Sequence, residues 1–145
     1  MAKFIELEAK VAEYQQKYRN SALPEFQDGD FLDLFPDDPK PVELTCKHTW
    51  LDSYPYDRTA GVYSILSNEL EVLYIGETDN FSARMAKYFR GSIISGCSFT
   101  DEWKVSPRYV HFYIAPEGSK FETPALEAFL ILEIPDLVNR RIKYR

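Results

Sequence analysis

The stretch "AGVYSILSNELEVLYIGETDNFSARMAKYFR", residues 60–90, contains the pattern that decides the fold of this chain. Two short runs rich in β-branched and aromatic residues, GVYSIL and EVLYIG, flank the polar turn SNEL, and together they predict a β-hairpin. Apolar residues then recur at helical spacing, which predicts a helix over residues 81–90. Asp79 or Asn80 can cap the start of this helix, and Gly91 can end it.

Both strands of the predicted hairpin carry a tyrosine. A loop of two or four residues places Tyr63 opposite Tyr74, and Gly61 opposite Gly76 at the open end. Opposed residues lie on the same face of a sheet with their Cβ atoms about 5 Å apart. We therefore expect two phenols side by side. The strand end next to them carries no side chains at its glycines, so a ligand can approach it. Taken alone, each tyrosine could equally be a buried structural residue of the sheet, since tyrosine is common in strands.

The predicted helix carries two polar residues that can join the phenols. Arg84 and Tyr88 are four positions apart and are therefore neighbours on the helix surface. Because the helix follows the hairpin within a few residues, Arg84 should return close to the open end of the hairpin. Taken alone, Arg84 would be a surface residue whose aliphatic stem covers apolar atoms.

A second helix is predicted over TPALEAFLILEI, residues 123–134. It can start at Thr123 with Pro124 in its first position, or earlier at Ser119. Pro135 stops it, because proline cannot continue a helix.

Glu127 is a carboxylate in a nearly all-apolar part of this helix. Its neighbours on the helix surface are Leu130, Ile131 and Ile134, so its side chain should face protein. An unpaired buried carboxylate costs several kcal/mol or takes up a proton. Glu127 therefore needs a partner, and either a cation or Arg84 would serve. A purely structural ion pair with Arg84 is the alternative to a functional role.

Other segments complete the predicted organisation. Residues 2–19 show a helical stripe of apolar side chains, and residues 21–45, rich in Pro and Asp, read as an extended connection laid over the domain. Residues 91–102 read as an irregular loop. RYVHFYIA, residues 108–115, predicts a third strand.

The chain of 145 residues is long enough for one domain with an appendage, and its net charge is −6. Most of the net negative charge lies in residues 1–56, where acidic residues outnumber basic ones. The last six residues, RRIKYR, are basic, and they can be either a solvated end or an arm that contacts phosphates. The acidic balance leaves few cations for non-specific DNA binding.

The sequence also predicts where the protein is found. No apolar run approaches 18 residues, so no membrane span is expected. The first residues lack the apolar region of a signal peptide. Cys46 and Cys97 lie outside any C-x-x-C motif, and reduced thiols are the favoured interpretation over a disulfide. We expect a cytoplasmic protein.

The ordered set of polar and glycine residues resembles the GIY-YIG nuclease family. The set runs from Gly61-Val62-Tyr63 through Tyr74-Ile75-Gly76 and Arg84 to Glu127 and Asn139. Within that family the stretch SARMAKYFR is most similar to the N-terminal nuclease module of the bacterial excision-repair endonuclease. The resemblance covers residues 57–141 and leaves residues 1–56 unassigned.

The resemblance implies an α+β fold, in which helices flank a small three-stranded antiparallel sheet. The N-terminal part would then be a helical and extended extension. We accordingly divide the chain into residues 1–56, an acidic N-terminal segment, and residues 57–145, a GIY-YIG nuclease-like domain.

The resemblance also implies an activity, the hydrolysis of phosphodiester bonds in DNA by an endonuclease that uses Mg²⁺ or Mn²⁺. Carried over to this chain, Tyr63 would activate the attacking water, directly or with the help of the metal ion, and Tyr74 would help to orient it. Arg84 would stabilise the pentavalent phosphate. Glu127 would bind the metal ion.

Three further residues complete the implied site. Tyr88 would form hydrogen bonds within it, at a position where homing-endonuclease relatives have histidine. Asn139 would hold the site or a sugar–phosphate oxygen, and Gly76 would leave room for the substrate. The partner is then a nucleic acid, DNA first, while residues 1–56 could bind a protein or cover and position the nuclease-like part.

Glu77 departs from the repair module, which has a lysine near the phosphate at that position. A carboxylate there would repel a DNA backbone or recruit a second cation. The alternative function is therefore a GIY-YIG module with weak or lost catalysis that binds a protein or a nucleic acid. A plain structural domain would require every motif residue to be a coincidence.

Overall fold

The computed structural model describes residues 1–50, 54–92, 96–99 and 103–138. Among these residues, no helix has both the length and the apolar character needed to cross a membrane. The helices and strands follow in chain order: α1 Phe4–Lys17, β1 Gln27–Asp33, β2 His48–Thr49, β3 Gly61–Leu66, β4 Val72–Thr78, α2 Phe81–Tyr88, β5 Phe89–Ser92, β6 Gly96–Phe99, β7 Tyr109–Ile114, a 3₁₀ turn Lys120–Glu122 and α3 Thr123–Glu133.

Strands β3 and β4 form the predicted hairpin, but their register differs from the prediction. Tyr63 pairs with Gly76, and Tyr74 pairs with Ile65, with a bulge just before Leu66. One position of the shift lies in the turn, where the Ser67 hydroxyl oxygen accepts two backbone N–H groups and Leu66 pairs with Val72, and the second comes from the bulge at Leu73. From Gly61 to Ile65 the shift is two positions, so those residues keep their predicted faces and both phenols still share one face, whereas the bulge moves Val72 to the opposite face, beside Ile75.

The predicted third strand is confirmed as β7, which pairs antiparallel with β3. Strands β7, β3 and β4 are the small antiparallel sheet that we expected, and helices lie against it. The sheet is larger than predicted, however, because its order is β2-β1-β7-β3-β4. Strand β1 pairs antiparallel with β7, and β2 pairs parallel with β1.

The interpretation of residues 21–45 as an extended connection was therefore wrong for Gln27–Asp33. Aspartates and a glycine weaken the local strand pattern there. The strand forms because the open edge of β7 supplies backbone hydrogen-bond partners, a long-range effect that composition does not reveal. Asp33 is held by Arg108 at the start of β7, through bonds of 2.7 and 3.2 Å to its two carboxylate oxygens.

The sheet separates two apolar layers. Helices α1 and α3 cover one face, where the core includes Leu7, Val11, Val62, Ile75, Leu130 and Ile131. Helix α2 covers the other face with an aromatic-rich layer that includes Tyr63, Ile65, Phe81, Met85, Phe89 and Phe112. The phenols thus lie on the α2 side, and β4 forms the edge of the sheet nearest to them.

Helix α2 is shorter than predicted and is followed by a second sheet. It ends at Tyr88, and Phe89 already has extended backbone angles. Residues 89–92 pair antiparallel with residues 96–99, so the expected irregular loop contains a two-stranded hairpin. Phe89 is fully buried and meets the ring of Phe99 at a centroid distance of 6.0 Å. This packing turns the chain out of the helix before Gly91.

The start of α3 combines both predicted alternatives. Ser119 precedes a 3₁₀ turn over Lys120–Glu122, and the α-helix begins at Thr123 with Pro124 near its first position. The helix ends at Glu133, and Ile134 has extended backbone angles, as expected before Pro135.

Candidate active site

Three tyrosines, Tyr63, Tyr74 and Tyr88, form a hydrogen-bonded chain that we call the phenol cluster. The Tyr63 hydroxyl donates to Tyr88 at 3.0 Å, and the Tyr88 hydroxyl donates to Tyr74 at 3.0 Å. The rings of Tyr63 and Tyr74 lie nearly parallel, with centroids 6.3 Å apart. Tyr63 is only 1% exposed, whereas the other two are partly exposed. The cluster therefore connects the protein interior to the surface.

Gly76 makes room for this arrangement. It lies directly opposite Tyr63, and a Cβ atom at residue 76 would overlap the Cζ and hydroxyl oxygen of Tyr63. No flexible side-chain end could move aside, because the obstacle is a ring packed in the core. The glycine thus accommodates the buried phenol, and direct contact between Gly76 and substrate stays a prediction.

The phenols resist ionisation. Burial raises the pKa of Tyr63 well above its ordinary value, and the neighbouring Tyr88 and Tyr74 raise it further, while Arg84 lowers it. Burial is also the main cause that raises the pKa of Tyr74, followed by Tyr88 and then by the negative charge of Glu127. Arg84 acts in the opposite direction on Tyr74 as well. Both phenols therefore carry their proton at neutral pH.

Arg84 reaches the phenol cluster from α2. Asn80 caps this helix by accepting the backbone N–H of Ala83 at 3.3 Å, which confirms one of the two predicted caps. The buried Phe81 and Met85 anchor the helix on the sheet. Arg84 itself is partly buried, and its positive charge lowers the pKa of Tyr63 and Tyr74.

Glu127 approaches from α3, on the edge-strand side of the sheet. It is 5% exposed, which confirms that its side chain faces protein. Its negative charge acts on Tyr74. Arg84 on α2 and Glu127 on α3 thus shift the pKa of the same phenol in opposite directions, although the two helices belong to opposite faces of the sheet.

Glu77 lies next to the site without joining the phenol cluster. It pairs with Val62, on the face opposite to Tyr63 and Gly76. Its carboxylate accepts the Thr123 hydroxyl at 3.0 Å, at the start of α3. Thr123 and Glu127 are four positions apart on this helix, so the hydroxyl that Glu77 binds belongs to the residue one helical turn before Glu127.

The residues present fit a single divalent ion held by one carboxylate. No group of three or more His, Cys, Asp or Glu side chains that could enclose a metal ion occurs among the residues with described structure. Mg²⁺ is commonly bound by one or two carboxylates, with waters and substrate phosphate as its other ligands. Glu127 is a buried carboxylate beside the phenols and suits that role.

Two further residues concern the predicted site. Asn139 lies outside the described residues, so its predicted role remains a prediction. Trp103 was missed, although its ring meets Tyr74 edge-on at a centroid distance of 6.0 Å. The only sequence signal for a role of Trp103 was its large aromatic side chain. The residue follows a segment for which the sequence predicts no regular structure.

In a comparison with protein-family models, residues 59–131, about half of the chain, match the GIY-YIG catalytic domain. The matched range starts just before β3, ends in α3, and includes the phenol cluster, Arg84 and Glu127. No curated protein and no solved structure matches the chain significantly. The closer similarity to the repair-endonuclease module therefore stays a prediction. The family match and the three-stranded core together show that this chain belongs to the GIY-YIG family of nucleases.

Proposed function

We propose that this protein is an endonuclease that hydrolyses phosphodiester bonds in DNA with the help of a divalent metal ion, Mg²⁺ or Mn²⁺. Nucleases of the family act on DNA and generally depend on such an ion. One observation supports the proposal most directly: hydrogen bonds join Tyr63, Tyr88 and Tyr74, and these phenols lie with Arg84 and the buried Glu127 inside the range that matches the family. Phenol, guanidinium and carboxylate groups from three elements would thus act on one phosphate.

Tyr63 is the candidate for activating the attacking water. Its raised pKa means that the phenol holds its proton at neutral pH, so it needs nearby positive charge to give that proton up. Arg84 supplies part of this charge. Once the Tyr63 oxygen is deprotonated, it can accept a proton from water. The hydrogen bonds through Tyr88 to the partly exposed Tyr74 offer a path for the released proton.

Arg84 is the candidate for holding the phosphate. Its guanidinium group is planar, always charged and able to donate two parallel hydrogen bonds to phosphate oxygens. A fixed positive charge is most valuable where negative charge develops during the reaction, and here that is the pentavalent phosphate. Packing of α2 through Phe81 and Met85 keeps Arg84 close to the phenols.

Glu127 would hold the metal ion. When bound, a divalent ion would neutralise phosphate charge and favour the deprotonated forms of nearby water and phenol. Burial of Glu127 lowers the local dielectric and strengthens its attraction to a cation.

A plasmid-nicking assay with Mg²⁺ or Mn²⁺ tests the proposal. We expect the wild type to convert supercoiled plasmid to the nicked or linear form. Arg84→Ala should lower the rate by about 10²- to 10³-fold, as when one donor to a developing charge is removed. Lys87→Ala, on an exposed position of the same helix, is the matched control and should retain activity. Equal rates in all three proteins would contradict the proposal.

Glu77 favours a second candidate function, a module that binds without efficient catalysis. Its carboxylate adds negative charge at Thr123, one helical turn before Glu127, where DNA or a metal ion would approach. Replacement with glutamine keeps the shape and the hydrogen bond with Thr123 but removes this charge. If Glu77 suppresses catalysis, Glu77→Gln should nick plasmid several-fold faster than the wild type. Unchanged rates would leave no reason to prefer the binding module.

We further propose that residues 1–56 position the nuclease-like part, residues 57–145, and that they can also bind a protein partner. Strand β1 extends the sheet through β7, and α1 packs against α3. Deletion of residues 1–56 should therefore abolish cooperative unfolding and expose an apolar sheet face. A stable, active truncated protein would contradict this role.

The cytoplasmic location of the protein also stays a prediction.

A further inference from the structure

Trp103 is a large aromatic side chain next to the phenol cluster, and the proposed chemistry does not use it. Its ring centroid lies 6.0 Å from that of Tyr74, with the ring planes at 69°. The contact is edge-on, and the indole keeps part of its surface exposed. The other tryptophan, Trp50, is 8% exposed and donates its indole N–H to the Tyr54 hydroxyl at 3.3 Å. The two tryptophans therefore have different environments.

The charge of the protein makes an aromatic contact with the substrate valuable. Proteins bind nucleic acid mainly through Lys and Arg contacts with phosphates, and this chain has a net charge of −6. Its affinity for DNA must therefore depend more than usual on contacts that need no charge. Stacking of one base on an aromatic side chain strengthens binding by about 5- to 150-fold, whatever the base.

The position of Trp103 in the structure also supports an aromatic contact with the substrate. Trp103 contacts Tyr74, the phenol on which both Arg84 and Glu127 act. A nucleotide whose phosphate lies at Arg84 would thus bring its own base, or the next one, to the indole. In an intact duplex both faces of each base are covered by neighbouring base pairs. An indole can stack only on a base that has left the helix or was never paired.

We infer that Trp103 is a stacking platform for an unpaired nucleobase beside the phosphate that is cut. The inference rests on the proposed nuclease function and adds a substrate class to it, namely DNA that is single-stranded or unpaired at the cleavage point. Intact duplex lacks this contact and binds more weakly.

Intrinsic fluorescence tests this role directly, because the chain has only two tryptophans. The Trp50→Phe variant reports on Trp103 alone, and Trp103→Phe reports on Trp50 alone. Each is titrated in EDTA, which prevents metal-dependent cleavage, with a short single-stranded oligodeoxynucleotide and with the duplex that it forms with its complement. The single strand should quench the emission of Trp103 strongly and that of Trp50 little, and the duplex should quench neither strongly.

Binding of a dye-labelled strand, followed by fluorescence anisotropy, gives a second measurement that does not depend on the stability of Trp50→Phe. Trp103→Ala should bind the single strand about 5- to 150-fold more weakly than the wild type. Trp103→Phe should retain most of the affinity, since phenylalanine also stacks. Lys104→Ala removes a neighbouring exposed charge and should leave the quenching of Trp103 intact. Circular dichroism and thermal unfolding check that each variant is folded.

Several results would overturn the inference. These are unchanged Trp103 emission while the labelled strand binds, equal quenching by duplex, equal affinity of Trp103→Ala, or no binding of the single strand at all. If plasmid nicking by the wild type persists in any of these cases, the nuclease proposal stands and only the role of Trp103 is wrong. If quenching occurs but the wild type never nicks, the site binds DNA without cutting it.

Discussion

At the scale of single residues, Gly76 determines whether Tyr63 can occupy its buried position. The two residues are directly opposed in the hairpin, and the Tyr63 ring fills the space where a Cβ atom of residue 76 would lie. The second glycine of the family motif therefore has a packing reason in this chain. A larger residue there would displace the phenol from Tyr88 and break the hydrogen-bonded chain.

We predict that Gly76→Ala lowers nicking by about tenfold or more and destabilises the fold by about 1–3 kcal/mol, because overpacking forces a core ring to move. Rate measurements and urea unfolding test both effects. Gly118→Ala is the control: that glycine has φ +84 and no neighbouring atom within 4 Å of the added Cβ. It should lose some stability through backbone strain but retain its nicking rate. Normal activity of Gly76→Ala would show that the phenol tolerates displacement.

The faces of the hairpin could be predicted from sequence, but its register could not. Strand alternation correctly placed Tyr63 and Tyr74 on one face, because a face depends only on whether positions are odd or even. The register depends on the turn, where the side chain of Ser67 accepts N–H groups from Glu69 and Glu71, and on the bulge at Leu73. A predicted loop length does not include such a side-chain bond.

At the scale of helices and strands, a buried ion pair joins the end of α1 to the start of α3. Arg19 donates to both carboxylate oxygens of Glu122, at 2.7 and 3.2 Å, and also to the Pro24 carbonyl at 2.6 Å. The side chain of Arg19 is 3% exposed and that of Glu122 is 11% exposed. This pair fixes the first turn of the helix that carries Glu127.

We predict that Arg19→Met destabilises the protein by about 3–5 kcal/mol, because it leaves a buried carboxylate without its partner. The double variant Arg19→Met/Glu122→Met should recover much of this loss, since no unpaired charge remains. Chemical denaturation of the wild type, both single variants and the double variant gives the coupling energy. Additive effects would mean that the two side chains do not depend on each other.

Elements with strong local patterns were predicted well, and those that depend on distant partners were not. The hairpin, β7, α1 and α3 each carry their own periodicity or caps. Strand β1 forms against β7, far away in the sequence, and β5 and β6 replace part of a predicted loop. Pairing with a distant strand supplies the hydrogen bonds of β1, which a local reading of composition cannot detect. Strands β5 and β6 pair locally, and they were missed because glycine and serine weaken the strand pattern there.

At the scale of the whole molecule, buried tyrosines make the fold sensitive to high pH. Burial is the largest cause of a raised pKa in each of several phenols. For Tyr56, burial and a hydrogen bond to Asp30 raise the pKa to about 12. The tyrosines with raised pKa are Tyr14, Tyr56, Tyr63, Tyr74, Tyr109 and Tyr113.

The sign of the pH effect follows from these raised values. Near neutral pH the phenols are protonated in both the folded and the unfolded chain, so their ionisation does not change the free energy of unfolding. Above a pH of about 10 the unfolded chain loses these protons first, which favours unfolding. We predict that stability falls as pH rises from about 10 towards 12, and that absorbance at the tyrosinate band rises steeply with unfolding rather than gradually. Complete ionisation of all tyrosines near pH 10 in a folded protein would contradict this.

The proposed active site depends on Glu127 acting as a functional carboxylate and not as a structural one. The most direct measurement is the metal-dependent nicking rate of Glu127→Gln beside that of Glu133→Gln. Both changes remove one negative charge from the same helix, but Glu133 is exposed and pairs with Lys10 at 3.4 Å. We predict a loss of about a hundredfold or more for Glu127→Gln, with its fold retained, and a near wild-type rate for Glu133→Gln. Equal, metal-dependent nicking by the two variants would contradict the proposed site.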